Sequence, residues 1–172
     1  MKQETKQCIA EAIQSFRLPR YNEIPNVGLY LEQATKYVCE YLSPLGEYTL
    51  TPSMISNYVK KGLIDNPVKK QYGREQIAYL FFIAVAKSVL SLDALTGFIK
   101  LQQQTYTLPK AYDYFCDQFE SLLAFTFEVT DTLEMYGEDN TDEKRLLYTC
   151  IVAAVQKVYL EKCLEAIARE DN

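Results

Sequence analysis

The amino-acid sequence predicts an all-α fold. Apolar residues recur at three- and four-residue steps in successive segments, which is the spacing of one helix face. Residues that start and stop helices flank several of these segments. Only Val68 to Tyr72 has the character of a strand, and the low glycine and proline content, 6 of each in 172 residues, excludes a low-complexity chain.

The sequence of the N-terminal part predicts two helices joined by an irregular connection. The first helix runs from Glu4 to Phe16, and residues 18–26 interrupt the pattern because they contain two prolines and two asparagines. The second helix, Leu29 to Leu42, is rich in tyrosine. The segment Ser43-Pro44-Leu45-Gly46 supplies its stop.

A third, compact helix of about three turns is predicted between Thr51 and Lys61. The Thr51 side chain can cap the first free N–H groups, and Pro52 loses no hydrogen bond at the first helical position. Gly62 supplies a left-handed stop. The residues on the apolar side of this helix are Met54, Ile55, Tyr58 and Val59, and those on the outer face are Ser53, Ser56, Asn57 and Lys60.

A short basic segment follows this helix. Asp65-Asn66-Pro67 turns the chain, and Val68 to Tyr72 can form a small ribbon or loop, in the position where a wing would lie. From Arg74 an apolar stripe to Ser88 predicts a helix packed on a core. Ser91 can cap a following helix that carries Leu92 to Ile99.

The C-terminal part predicts two long helices. Thr107-Leu108-Pro109 opens one that extends towards Met135, and Gly137 to Asp142 is a polar turn. Residues Leu146 to Leu160 are apolar on nearly all sides, which is typical of a buried helix, so the two are expected to form an antiparallel hairpin. The predicted organisation is 1–26, an N-terminal helix and connection; 27–105, a helix-turn-helix domain; and 106–172, a dimerisation or sensor region.

The charge is unevenly distributed. The net charge of −5 alone disfavours nucleic acid as a partner. Residues 51–74, however, hold five basic residues against one acidic residue, whereas residues 106–172 hold six basic and fourteen acidic residues. Positive charge is therefore concentrated in the segment that contains the third helix and the short basic ribbon.

Several function classes are disfavoured by residues that are missing. The chain has no histidine and no glycine-rich phosphate loop, so we expect no enzyme, no metal and no cofactor. The acidic residues Glu138, Asp139, Asp142 and Glu143 fall in a predicted surface turn. The five cysteines are scattered and odd in number, which favours reduced core residues over disulfides or zinc ligands.

The sequence also predicts a cytoplasmic protein that does not enter the membrane. Its longest wholly apolar run, Ile77 to Ala86, is far shorter than the ~20 residues of a membrane-spanning helix. Residues Met1 to Gln7 lack the apolar stretch of a signal peptide.

The outer face of the third helix suits the major groove of duplex DNA. Serine and asparagine can hydrogen-bond base edges at close approach, and lysine reaches guanine or phosphate. The helix N-terminus and the basic ribbon would add phosphate contacts. The predicted DNA-contact residues are Thr51, Ser53, Ser56, Asn57, Tyr58, Lys60, Lys61, Lys69, Lys70, Tyr72 and Arg74.

The segment from roughly Tyr21 to Gln103, which includes the third helix and the basic ribbon, resembles a bacterial family described as domain of unknown function 1836. The similar segments are Leu50 to Ile64, Pro67 to Tyr72, Gln76 to Leu80 and Ile24 to Gln33. The same region is more distantly similar to the MerR superfamily, through Thr51-Pro52, Ile55, Tyr58, Gly62-Leu63 and Ser91-Leu92. Ser56 and Asn57 depart from that pattern, which usually has arginine and tyrosine there.

The MerR resemblance implies a winged helix-turn-helix that binds DNA as a homodimer at an inverted repeat, which makes a transcription regulator the leading hypothesis. Three alternatives remain open at this point. The outer face of the third helix can be an ordinary solvated surface. The helix-turn-helix can be a protein-interaction module anchored by Tyr58 and Tyr72. Residues 106–172, with Phe115, Phe119, Phe125 and Phe127, can form a dimerisation domain or a sensor for a small-molecule effector.

Overall fold

The computed structural model of the chain describes residues 2–46 and 48–170. The predicted first segment begins at Met1 and the predicted last segment ends at Asn172, and both of these residues lie outside the described ones. The helices of the described residues are α1 (Gln3–Gln14), α2 (Leu31–Leu42), α3 (Pro52–Lys60), α4 (Arg74–Ala86), α5 (Leu92–Thr105), α6 (Leu108–Thr126) and α7 (Asp142–Glu170). Short 3-10 turns lie at Tyr21–Glu23 and Ser43–Leu45. The mostly helical class predicted from the sequence is confirmed.

Helix α4 lies at the centre of the molecule. Its residues Ile77, Ala78 and 80–86 are all buried, so the helix is covered on every side and not along one stripe. Helices α2, α6 and α7 all contact it. One apolar cluster, from Ile13 to Val158, therefore runs through all three of the predicted segments.

The N-terminal connection is fastened to α6 by charged hydrogen bonds. The Arg20 guanidinium donates to both carboxylate oxygens of Glu120 at 2.7 Å and pairs with Asp117 at 2.8 Å. The Leu18 N–H also donates to Glu120, at 2.7 Å. We call these residues the Arg20 cluster. Because of these bonds the irregular residues 18–26 have a fixed position on the helical core.

Two very short strands form an antiparallel pair. Strand β1 (Leu29–Tyr30) precedes α2, and β2 (Gln71–Tyr72) precedes α4. Leu29 pairs with Tyr72. A Cβ atom on Gly28 would lie 2.6 Å from the Cβ of Gln71, so this approach of the two strands requires glycine.

Helices α6 and α7 run side by side in the same direction, so the predicted antiparallel hairpin is wrong. Near the start of α7, the Lys144 ammonium lies 5.5 Å from the centre of the Tyr114 ring in the first half of α6. Past the end of α6, the rings of Phe127 and Tyr159 lie 5.2 Å apart. Contacts therefore advance along both helices together.

The parallel arrangement requires a segment that returns along α6, and residues 127–141 provide it. Helix α6 ends at Thr126, earlier than the sequence predicted. The buried side chain of Gln118 donates to the Glu134 carbonyl and accepts from the Tyr136 N–H, both at 3.2 Å. These bonds hold the return segment against α6 and bring the start of α7 back beside the start of α6.

Helix α7 is only partly buried, although the sequence predicted a buried helix over residues 146–160. Leu146, Leu160 and Leu164 are about half exposed, and Ile167 is also exposed. Leu146, Ala153, Leu160 and Ile167 follow one another at seven-residue steps, and all four are exposed. An uncovered apolar stripe therefore runs along α7.

All five cysteines carry free thiols. Cys116 and Cys150 are buried, and burial raises the pKa of the Cys150 thiol to about 11. Cys8 is exposed, so the predicted core role is wrong for that residue. Within the part of the chain that the structure describes, no helix is long and apolar enough to cross a membrane.

Candidate nucleic-acid interface

Helix α3 begins and ends where the sequence predicted. The Thr51 hydroxyl accepts the N–H of Met54 at 3.2 Å, and Pro52 occupies the first helical position. At the other end Gly62 has φ +72°, and the Leu63 N–H donates to the Tyr58 carbonyl at 2.9 Å. This left-handed glycine stop satisfies carbonyls at the end of the helix.

The start of α3 is held by two residues that sequence reasoning missed. The Cys39 thiol of α2 accepts the Leu50 N–H at 3.3 Å and lies 3.5 Å from the Leu50 carbonyl. The Lys87 ammonium donates to the Thr49 carbonyl at 2.7 Å, and burial lowers the pKa of this lysine. Neither contact has a local signature, because each joins residues more than ten positions apart.

The predicted outer face of α3 is exposed to solvent. Ser53, Ser56, Asn57 and Lys60 are all exposed and lie at the spacing of one helix face. The Ser56 hydroxyl donates to the Pro52 carbonyl at 2.9 Å, which leaves its oxygen free to accept from a ligand. This face therefore offers polar groups of short reach with a lysine at its end.

The basic segment after α3 forms a tight hairpin between Val68 and Gln71. The Val68 N–H donates to the Gln71 carbonyl at 3.0 Å, and the Gln71 N–H donates to the Val68 carbonyl at 2.9 Å. The two tip residues, Lys69 and Lys70, have φ +52° and +64°. Two successive positive φ angles define a type I′ turn, which normally contains Asn-Gly.

A lysine in the left-handed region costs roughly 1 kcal/mol because its Cβ crowds the backbone. The Lys69–Lys70 hairpin stores this strain twice, at a position where the backbone geometry is fixed by two hydrogen bonds. Such strain persists at positions under functional constraint. The observation makes the two lysines candidates for a role that requires their charge.

The exposed lysines of this region lack ion-pair partners. Among residues 2–46 and 48–170, no carboxylate lies within ion-pair distance of the ammonium groups of Lys60, Lys61, Lys69 or Lys70. Asp65 is the only acidic residue between Thr51 and Arg74. The region therefore presents uncompensated positive charge on an acidic protein.

Three of the predicted DNA-contact residues lie in surroundings that do not suit contact with DNA. Tyr58 and Tyr72 are only 2% and 4% exposed, because Tyr58 lies on the apolar side of α3 and Tyr72 is part of the β1–β2 pair. The Arg74 guanidinium donates to the Ile24 carbonyl at 2.8 Å and fastens the N-terminal connection to α4. The remaining members, which we call the α3–hairpin surface, are exposed: Thr51, Ser53, Ser56, Asn57, Lys60, Lys61, Lys69 and Lys70.

The connection between α2 and α3 differs from a simple helix-turn-helix. It spans residues 43–51 and contains the 3-10 turn Ser43–Leu45 and the positive φ of Gly46. The turn of a typical helix-turn-helix has three or four residues. Helices α2 and α3 nevertheless contact each other, and α2 also contacts both strands.

Comparison with known proteins identifies one family. No curated protein and no solved structure matches the chain. A family model described as "Domain of unknown function (DUF1836)" matches residues 19–115, from the N-terminal connection to the middle of α6. The match covers more than half of the chain and includes the whole α3–hairpin surface, and the chain therefore belongs to the DUF1836 family.

Proposed function

We propose that this protein binds duplex DNA through the α3–hairpin surface and acts as a transcription regulator. The observation that carries the proposal is a set of lysines without ion-pair partners among residues 2–46 and 48–170, beside an exposed polar helix face, in a protein whose net charge is −5. Phosphate contacts supply most of the affinity of such proteins, and short polar side chains on an inserted helix supply the sequence preference.

In the proposed complex α3 enters the major groove with its outer face towards the base edges. Asn57 is the residue best suited to pair with adenine, and Ser53 and Ser56 approach closely enough to hydrogen-bond neighbouring bases. The Lys69–Lys70 hairpin contacts flanking phosphates in the manner of a wing. This arrangement is of the MerR-like winged helix-turn-helix type.

The protein is further proposed to bind as a homodimer at an inverted repeat. The support is the exposed apolar stripe on α7, whose members Leu146, Ala153, Leu160 and Ile167 recur every seven residues. Paired helices carry apolar residues at two positions in every seven. The stripe supplies one position throughout, and exposed Leu164 supplies the second next to Leu160, so the pairing is proposed for the C-terminal half of α7. A Leu160→Glu substitution should convert the dimer to a monomer in light scattering, because it places a charge within the paired stripe.

The test begins with genomic fragments recovered by the purified protein, whose affinities are then measured by fluorescence anisotropy at several salt concentrations. Lys60→Ala combined with Lys69→Ala should weaken binding by about 10-fold or more at 0.1 M salt. The slope of log affinity against log salt should become shallower by roughly 1.8, or 0.9 for each lost phosphate contact. Asn57→Ala should instead lower sequence preference and keep the salt slope.

The matched control is Lys6→Ala combined with Arg169→Ala. Both side chains are exposed and lie outside residues 51–74, so this variant changes the net charge by the same amount. It should bind DNA like the unmodified protein. Equal loss in both double variants, or unchanged affinity in Lys60→Ala with Lys69→Ala, contradicts the proposal.

The alternative of a protein-interaction module is less well supported. It relied on Tyr58 and Tyr72 as anchors, and both side chains are buried. Exposed aromatic side chains are the residues that usually anchor protein interfaces. The α3–hairpin surface contains no aromatic residue, whereas it is rich in phosphate-binding groups.

A further inference from the structure

A cavity of about 400 Å³ lies between α5, the first half of α6, the return segment and the start of α7. Its volume falls within the range of small-molecule sites. It is separate from the α3–hairpin surface, with which it shares no residue. We call it the aromatic cavity, because Phe98, Tyr106, Tyr114 and Tyr136 line it together with Leu101 and Leu147.

The charge on the walls of the aromatic cavity is unbalanced. Four carboxylates line it (Asp113, Asp117, Asp139 and Glu143), against the two ammonium groups of Lys110 and Lys144. Both ammonium groups lie within 4 Å of Asp139, and Lys144 also donates to the Gly137 carbonyl at 2.8 Å. The two cations are therefore engaged by the return segment and leave a net negative wall.

Glu143 is the carboxylate that stays available. Asp113 accepts the Tyr21 N–H at 2.7 Å, and Asp117 pairs with Arg20. The Glu143 side chain is half-buried, and in the described part of the chain its carboxylate has neither an ion pair nor a hydrogen bond. A carboxylate without a partner in a largely apolar wall attracts a cation.

Tyr114 contributes an uncharged ring to the cavity wall. Burial raises the pKa of Tyr114 to about 12, so the phenol stays neutral at neutral pH. Its hydroxyl group is shielded from solvent and makes no hydrogen bond, so the ring and not the hydroxyl group is the part that a bound molecule would contact.

We infer that the aromatic cavity binds a small aromatic cation, with its apolar body among the aromatic side chains and its cationic group at Glu143. A flat ring fits the largely aromatic walls, and the net negative wall selects against anions. The Tyr106 and Tyr114 rings already face the ammonium groups of Lys110 and Lys144, at 4.9 and 5.5 Å. In the described part of the chain no cationic side chain lies over Phe98 or Tyr136, so these two rings are left to contact a cation. This inference does not depend on DNA binding.

Three probes with one ring system separate charge from shape: 2-naphthylmethylammonium, 2-naphthalenemethanol and 2-naphthoate. Their dissociation constants are measured on the full chain by calorimetry. The ammonium compound should bind about 10-fold more tightly than the neutral alcohol, and the carboxylate should bind most weakly. Equal binding of all three probes would overturn the inference.

Two variants and one control assign the binding to the cavity. Glu143→Gln should weaken the ammonium probe by about 10-fold and leave the alcohol unchanged. Glu138→Gln changes an exposed neighbour outside the cavity and should alter nothing. Leu101→Trp fills the cavity and should abolish binding of all probes, with an unchanged circular dichroism spectrum.

The inference is wrong if the ammonium probe binds Glu143→Gln as tightly as it binds the unmodified protein. It is equally wrong if a folded Leu101→Trp variant retains the probe, since binding would then occur elsewhere. Chemical-shift changes confined to the lining tyrosines of ¹⁵N-labelled protein would support it even if Leu101→Trp fails to fold.

Discussion

The Arg20 cluster and the Lys69–Lys70 hairpin carry basic side chains in contrasting surroundings. Arg20 is half-buried, and its guanidinium is saturated by Glu120, Asp117 and the Leu18 carbonyl. The hairpin lysines are exposed, unpaired within the described residues, and set on a strained turn. In the Arg20 cluster the charged groups stabilise the fold. In the Lys69–Lys70 hairpin the backbone is strained, and the two charged side chains remain exposed.

The largest effect on stability is expected for Arg20→Ala. Removal of the Arg20 guanidinium leaves the partly buried carboxylates of Glu120 and Asp117 without their cation. It also releases the N-terminal connection from α6. We expect the free energy of unfolding to fall by about 2 to 3 kcal/mol, measured by urea denaturation. DNA affinity of the folded fraction should not change. Ordinary surface substitutions change the free energy of unfolding by about 0.5 kcal/mol. A loss smaller than this would show that Arg20 stabilises the fold no more than an ordinary surface residue does.

An opposite effect is expected for Lys69→Asn combined with Lys70→Gly. Asn-Gly is the preferred pair for a type I′ turn, so the free energy of unfolding should rise by about 1 kcal/mol. The proposed DNA binding predicts that affinity should also fall, because the variant removes two of the proposed phosphate contacts. The control Lys69→Gln with Lys70→Gln removes the same charges and keeps the strained backbone. This control variant should lose DNA affinity without any gain in stability. If both variants are stabilised equally, the gain comes from relief of repulsion between the two lysines and not from relief of backbone strain.

The smallest effect is expected at Glu23, whose carboxylate pairs with the exposed Arg17 at 2.8 Å. The hydrogen bond from Arg17, and then that from the Arg20 N–H, lower the pKa of Glu23. Since the pKa is lower in the folded state, the stabilisation is present above the unfolded pKa and is lost as pH falls through the folded pKa. Glu23→Gln should therefore cost less than Arg20→Ala at pH 7 and should show no difference from the unmodified protein in strong acid. A difference that persists in strong acid would assign the effect to the side chain's shape.

Local chemistry made part of the molecule predictable from sequence. The cap at Thr51, the stop at Gly62 and the cap at Ser91 depend on residues within a few positions of each other, and all three are found. The outer face of α3 followed from periodicity alone. The same periodicity places Tyr58 on the apolar side of α3, so its burial is predictable from the sequence and conflicts with a role in DNA contact.

Long-range geometry was not predictable in the same way. The parallel course of α6 and α7 depends on Gln118 binding residues 134 and 136, and nothing in the local sequence distinguishes this from a tight hairpin. The aromatic cavity was missed for the same reason, since its walls come from four separate segments. Of the four phenylalanines considered for a dimerisation or sensor region, Phe115, Phe119 and Phe127 are buried in the core, and Phe125 is exposed.

The position of α1 has a consequence for the order in which the chain assembles. The ring of Phe16 packs against that of Phe119 at 5.9 Å, and Thr5 and the Lys2 N–H bind Glu170 at the far end of α7. Helix α1 contacts the nearby Ser43–Leu45 turn and also α6, which lies in the second half of the described chain. Contacts of such long sequence separation slow folding, because a large loop must close before they form. The contact between Phe16 and Phe119 should therefore form only once α6 is present, so the final docking of α1 should be a late step of folding.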